Sequence, residues 1–144
     1  EKALYKAFAG ANMLLPECGR VLFTIEDKDK NVVLPLAERF AKIGYRIFAT
    51  KGTAEFLRQN GLHATKVPKI GEEDSNDPAI IKLLMNNEVD LVINTMSHDQ
   101  EMSSDGFVIR QTAIEHNIAL LTSLNTADAL LRALENRSFA TESL

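Results

Sequence analysis

Cysteine is nearly absent, with Cys18 the one thiol in 144 residues. A single thiol forms no internal disulfide and no zinc cluster, so a reducing compartment, the cytoplasm, is the simplest expectation. Cys18 follows Pro16 in a turn-rich stretch, where a lone thiol is more often inert than nucleophilic. Histidine is scarce too, and no two of His63, His98 and His116 have metal-ligand spacing. No apolar run approaches bilayer-spanning length, and no signal-peptide pattern opens the chain. There is no basic excess: 16 Lys and Arg face 20 Asp and Glu, for a net charge of −4. A nucleic-acid surface wants a basic stripe, so that class is disfavoured. No block of like charge suggests a membrane or RNA tail, and there is no internal repeat or low-complexity segment. Neither G-x-x-x-x-G-K-[ST] nor G-x-G-x-x-G occurs.

What is present suits one domain. Hydrophobic residues make up 45% and charged residues 25%, enough to bury a sheet between helix layers. The chain opens without Met and inside a helical pattern, which leads to the expectation of a piece excised from something larger. Residues 21–25 form an apolar, partly β-branched run after the turn signal of 16–19, and predict a buried strand. Asp27, Asp29 and Asn31 are candidate caps for a helix whose apolar positions run from Val33 to Ile43 and which Gly44 ends. Pro35 lies in its first turns, where a missing N–H is tolerated. The pattern repeats as strand 45–49, helix 53–60 stopped by Gly61, strand 62–67, loop 71–78, helix 78–86 and strand 90–94. Loop 95–104, helix 107–116, strand 119–122 and a helix over 126–135 capped near Asn125 or Thr126 complete it. Such alternation predicts a doubly wound parallel sheet with helices on both faces. Ligands of such folds sit outside the carboxyl ends of the strands.

Hydroxyls, amides and lysines gather at that edge. Thr24 to Lys30 follow the first strand, Thr50-Lys51-Gly52-Thr53 the second, Lys69 the third, Asn94 and Thr95 the fourth, and Thr122 the fifth. The strongest feature is Thr50-Lys51-Gly52-Thr53. Gly52 lets backbone N–H groups approach a ligand closely. The helix start that follows offers unpaired N–H donors and partial positive charge to a phosphate. The two threonine hydroxyls add hydrogen bonds, and Lys30 and Lys69 add charge. A plainer reading stands beside this one: Thr53 caps a helix, Gly52 turns the chain and the lysines are solvated. Asn94 likewise either faces the ligand crevice or satisfies its own backbone in a turn. His98 is a candidate acid or base in a strand-end loop, though a solvated histidine fits as well. Glu72, Glu73, Asp74 and Asp77 suit a solvated loop face.

The D-K-D-K of Asp27 to Lys30, the A-T-x-G-T-A of Ala49 to Ala54 and the I-N-T of Ile93 to Thr95 occur in that order. Together, over residues 20–134, they make the chain similar to the methylglyoxal-synthase-like domains. It most resembles the carboxyl-terminal regulatory domain of the carbamoyl-phosphate synthase large subunit. The resemblance implies a three-layer sandwich with a five-stranded parallel sheet over residues 19–144, preceded by a linker helix over 1–18. It implies an allosteric domain that binds a nucleoside monophosphate, UMP as inhibitor and IMP as activator in some members. The parent would be a glutamine-hydrolysing, ATP-dependent ligase of pyrimidine and arginine biosynthesis using Mg or Mn. Its partners would be the rest of the large subunit and a glutaminase small subunit, with no nucleic acid and no membrane. The domain itself would hold no cofactor or metal and do no chemistry. By position, Lys30, Thr50, Thr53 and Lys69 would surround the effector phosphate, with Lys51 and Gly52 in the same loop. Thr24, Asn94, Thr95 and Asp105 would face its sugar or base. Thr122 would fall in the region where ornithine is contacted. Met96 stands where nucleotide-binding relatives can carry a second threonine. Leu121 stands where some carry an acid near the ornithine site, and a leucine cannot pair with an ammonium group.

The alternative of the same fold is methylglyoxal synthase itself, which eliminates phosphate from dihydroxyacetone phosphate. Its pattern has G-T-T-G where this chain has Gly52-Thr53-Ala54, and G-G-D-Q-Q where it has Gly71-Glu72-Glu73-Asp74-Ser75. His98 lies near, not at, the synthase histidine. The glycines that would present a carboxylate base are therefore missing.

Overall fold

The strand Arg20–Thr24 lies at the centre of the sheet, and its Val21, Leu22 and Phe23 are fully buried, as cover on both faces demands. The computed structural model describes residues 19–25, 27–68, 79–95 and 105–142, with side chains at all of these but 27, 79, 105–106 and 137–142. Within them the strands are β1 (Arg20–Thr24), β2 (Arg46–Thr50), β3 (Thr65–Val67), β4 (Leu91–Asn94) and β5 (Ala119–Leu121). The α-helices are α1 (Lys30–Lys42), α2 (Lys51–Gln59), α3 (Ala79–Met85), α4 (Asp105–Glu115) and α5 (Leu124–Glu142), and a 3-10 turn over Asp27–Asp29 leads into α1. The sheet order is β3-β2-β1-β4-β5 and every pairing is parallel.

The pleat sorts each strand between two cores. Val21, Phe23, Ile47, Ala49, Leu91, Ile93, Ala119 and Leu121 face the layer of α1, α2 and α5. Leu22, Val67 and Val92, with half-buried Phe48 and Leu120, face α3 and α4. The strand order reverses at β1, so the first two crossover helices cover one face and α4 the other, as right-handed crossovers require. Phe40 fills the centre of the first core, edge-on to Phe23 at 6.1 Å and tilted against Tyr45 at 5.4 Å.

Four helices end in the same way. Gly44, Gly61, Asn87 and Asn117 have φ of 101°, 85°, 54° and 57°. In each case that residue and the next donate back to the last turn. In α1, Gly44 N–H donates to Ala41 C=O at 3.1 Å and Tyr45 N–H to Phe40 C=O at 2.9 Å. In α4, Asn117 N–H donates to Ile114 C=O at 3.2 Å and Ile118 N–H to Ala113 C=O at 2.9 Å. This left-handed closure turns the chain straight into the next strand.

The expected elements are present with shifted ends. α1 and α2 start earlier than the apolar periodicity suggests, at Lys30 and Lys51. β3 is three residues long, not six. Residues 62–64 are spent closing α2, where Leu62 N–H returns to Leu57 C=O and Arg58 Nε donates to Ala64 C=O. The last helix begins at Leu124 and is not capped by Asn125 or Thr126; Ser123 Oγ accepts from Asn125 N–H at 3.2 Å. Asp29 occupies the α1 cap position without a side-chain cap bond. Among the described residues no helix is long and apolar enough to cross a membrane.

Arg39 ties α1 to α5. Its Nε and one terminal nitrogen donate to the two carboxylate oxygens of Glu135 at 3.1 and 2.7 Å, and the other donates to Asp128 at 2.5 Å. Arg132 also reaches Asp128, at 2.9 Å. The hydrogen bonds to Glu135 and then Asp128 raise the Arg39 guanidinium above its ordinary range, with burial opposing them. All three side chains are about a third exposed, so screening keeps the network's worth modest despite its forked geometry. Arg39→Met keeps the stem and removes the fork. It should lower stability by about 1 kcal/mol in urea unfolding at low salt, with the difference shrinking in molar salt.

Candidate functional site

The carboxyl ends of β2, β1 and β4 end in polar residues at one level. Thr24 pairs in register with Asn94, and Phe23 pairs with Ala49, so Thr50 follows at the same height. All three share the parity of Leu22, Phe48 and Val92 and therefore lie on the α3–α4 side. Thr24, Thr50 and Asn94 are 9%, 7% and 1% exposed. Leu121 pairs with Ile93, so Thr122, exposed, continues the row past β5. β1 is the strand at which the order reverses, and a doubly wound sheet opens its crevice there.

Asn94 is not satisfying its own turn. Its Nδ2 donates to Thr24 Oγ1 at 2.7 Å, and its Oδ1 accepts from Arg110 Nε on α4 at 2.7 Å. A second Arg110 nitrogen lies 3.4 Å from the Asn94 carbonyl oxygen. Arg110 was not anticipated from the sequence. In the string Phe107-Val108-Ile109-Arg110-Gln111 it reads as an ordinary polar-face residue. The one available signal was its place a single residue beyond Ile109, which faces the sheet.

α2 begins directly after β2 with no intervening loop. Thr50 holds the cap position in extended conformation, φ −67° and ψ 162°, and its side chain makes no cap hydrogen bond. The first turn carries no acid. The backbone N–H groups at this helix start thus keep their capacity and their positive field. Thr53 is not the cap; it lies inside the first turn at 1% exposure. Among the described residues neither the Thr50 nor the Thr53 hydroxyl has a hydrogen-bond partner. A buried orphan hydroxyl is unusual in a folded chain. Lys30, the first residue of α1, extends its ammonium over this turn: a Cβ added to Gly52 would lie 3.0 Å from Lys30 Nζ.

Of the other expected residues, Lys51 is exposed on the first turn of α2. Thr95 N–H donates to Thr24 C=O at 3.0 Å and extends the β1–β4 ladder. Asp105 opens α4, with its side chain outside the described set, and Lys69, Asp74, Met96 and His98 lie outside the described residues altogether. His63 precedes β3 instead of lying in it, and is exposed. His116 sits at the end of α4, where its N–H returns to Thr112 C=O. Among the described residues no cluster of His, Cys, Asp or Glu could hold a metal ion.

The orphan at Thr53 has a measurable consequence. Thr53→Val keeps the shape and removes the unpartnered hydroxyl, so it should raise stability by about 1 kcal/mol in urea unfolding. Thr112→Val is the control, because the Thr112 hydroxyl donates to Val108 C=O at 2.8 Å and its loss should bring no gain. A destabilised Thr53→Val protein would mean that the hydroxyl has a partner within the chain.

The same architecture occurs in solved structures. The methylglyoxal synthase of Elizabethkingia anophelis NUHP1 superposes with a TM-score of 0.66 over 81% of this chain and 79% of that chain, at 18% identity. ForH superposes with a TM-score of 0.59 over 84% of this chain and 82% of that chain, also at 18% identity. At that identity the likeness is one of fold. The sequence itself goes further, since the model of the MGS-like domain matches residues 32–122, from α1 through the residue after β5. The chain belongs to the family of MGS-like domains.

Proposed function

We propose that this domain is a sensor: the allosteric regulatory domain of a glutamine-hydrolysing carbamoyl-phosphate synthase large subunit, which binds a nucleoside monophosphate, UMP or IMP. The observation that carries the reading is the Thr53 hydroxyl, 1% exposed and without a partner among the described residues, beside a helix start with no side-chain cap bond, over which the Lys30 ammonium extends. A phosphate satisfies the hydroxyl and the helix start together and lies beside the ammonium. Its oxygens accept from the Thr50 and Thr53 hydroxyls and the first-turn N–H groups, and its charge is offset by Lys30 and Lys69. Thr24, Asn94, Thr95 and Asp105 then lie toward the sugar and base. The surrounding enzyme supplies ATP, metal and catalysis in the cytoplasm, together with its glutaminase subunit, and this domain supplies neither cofactor nor turnover. An effector that binds one conformation of the parent better than the other shifts activity by that difference in affinity.

Two features favour sensing over chemistry. The row across β2, β1 and β4 consists of hydroxyls and an amide, none of which is a base near neutral pH. Ala54 is fully buried in the core and brings no third hydroxyl to the loop. The likeness in fold to methylglyoxal synthase keeps the catalytic alternative in view, and one comparison separates the two. Calorimetric titration with UMP, IMP and inorganic phosphate should show binding that Lys30→Ala and Lys69→Ala each weaken, with no phosphate released from dihydroxyacetone phosphate. Release of phosphate would favour the enzyme, and failure to bind any of the three would overturn the sensor.

Gly52 gives a sharper variant. Gly52→Ala removes a glycine from a helix and should raise stability by about 0.5–1 kcal/mol. The new methyl meets the end of the flexible Lys30 side chain at 3.0 Å and displaces it. Phosphate affinity should fall roughly tenfold, the equivalent of about one charge-assisted hydrogen bond.

A further inference from the structure

Arg110 lies outside the phosphate corner, on the helix packed over β4. A guanidinium has donors only and stays charged. Its Nε donating at 2.7 Å to the Asn94 side chain therefore identifies the contacted atom as oxygen. That settles which end of the amide is which, a choice that geometry at a terminal amide otherwise leaves open. The nitrogen end must then be the one that meets Thr24 Oγ1 at 2.7 Å. Thr24 Oγ1 is used as an acceptor by that contact, so its own proton remains to be donated elsewhere. The chain of bonds has one direction, from Arg110 through Asn94 to Thr24, and it runs toward the crevice.

We propose that Arg110 is a positioning residue that locks the Asn94 amide with its nitrogen toward Thr24, so that the amide cannot flip and the Thr24 hydroxyl keeps its proton to donate. The second Nδ2 proton of Asn94 and the hydroxyl proton of Thr24 are then the donors this pair keeps for a ligand, while Arg110 holds the amide oxygen. The ligand group that docks here is an oxygen acceptor: a carbonyl, a ring oxygen or the lone pair of a hydroxyl. A group that presents N–H at the same place finds only the remaining lone pair of the Thr24 hydroxyl and leaves the Asn94 proton unpaired, which favours the oxygen acceptor. This specificity rests on the sensor reading of the phosphate corner and adds to it the chemistry of the ligand's other half. The lock itself is independent of any ligand.

Two measurements separate the lock from the function. In the ligand-free chain, the Asn94 side-chain amide should give two resolved, exchange-protected proton signals by NMR. Arg110→Met should abolish that protection and Arg110→Lys, which retains one donor for Asn94 Oδ1, should restore most of it. Unchanged signals in Arg110→Met would overturn the lock whether or not a nucleotide binds. In calorimetry, Arg110→Met should weaken UMP roughly tenfold, the effect of about one hydrogen bond, and leave inorganic phosphate unchanged. Thr24→Val should weaken UMP similarly, and the double variant no further, because both changes break one chain. Equal losses for UMP and phosphate in Arg110→Met, or fully additive losses in the double variant, would overturn the assignment of specificity. If the wild-type chain binds neither UMP nor phosphate, the sensor reading and the specificity fall together, while the NMR result still decides the lock.

Discussion

Every polar group in the strand-end crevice owes its position to the parallel register that sets Thr24 opposite Asn94 and Phe23 opposite both Ala49 and Ile93. Because side chains alternate, that pairing fixes side as well as height. Thr50, Thr24 and Asn94 share one face, and Phe23, Ala49 and Ile93 share the other. A slip of one residue would send Phe23 to the α3–α4 side and turn Thr24 into the core around Phe40. The apolar burial of the α1–α2–α5 face, with Phe40 at its centre between Phe23 and Tyr45, is thus what holds the polar row in place. The helix closures serve the same end: each left-handed residue delivers the chain into the next strand with no slack to shift its register.

Compromises in stability are concentrated at one corner. Elsewhere four helix ends close alike, α5 has a Ser123 cap and Arg39 makes a forked pair, although α1 too starts without a side-chain cap bond. At the start of α2 the habit stops. The cap side chain makes no bond, the second residue is a glycine, a threonine is buried with its hydroxyl orphaned, and a lysine is held above the helix's positive end. Each choice costs a little, through lost capping, backbone entropy, a buried unpaired hydroxyl or repulsion from the dipole. An anion at the helix start offsets the lost capping and the unpaired hydroxyl, and the glycine lets it come close. Local rules broken together at the start of α2 are what the proposed binding site there would require.

Much of this was legible in the sequence, and the parts that were not share a cause. The runs of residues 21–25 and 90–94 read as strands, and Gly44 and Gly61 as helix stops, because those signals are local. Asn87 and Asn117 close α3 and α4 in the same left-handed way. They escaped notice because asparagine occurs in many settings where glycine would not. Residues 62–64 looked like strand since apolar composition does not distinguish a β-run from the closure of a helix. The hydroxyl row was readable as a list of strand-end residues, but not its shared face, which needs the register. Arg110 was out of reach for a stronger reason: its role lies in a contact 16 residues away in sequence, across a crossover, and nothing in the periodicity of α4 separates it from a solvated arginine.

That contact changes what kind of site the corner is. A helix start and a lysine attract any anion, and their pull falls with salt and says little about what the anion is attached to. Discrimination needs groups whose polarity cannot adapt. A threonine hydroxyl or a terminal amide adapts readily, the first by rotating and the second by flipping. Anchoring the row to a group that can only donate removes that freedom, because each bond in the chain fixes the sense of the next. Arg110 therefore does from 2.7 Å behind Asn94 what no residue of the row can do for itself. The two halves of the proposed site are also built by different parts of the fold, the helix-start corner by α1 and α2 from one layer and the directional chain by α4 from the other. Affinity for the charge and selectivity for its substituent can then vary independently within one crevice.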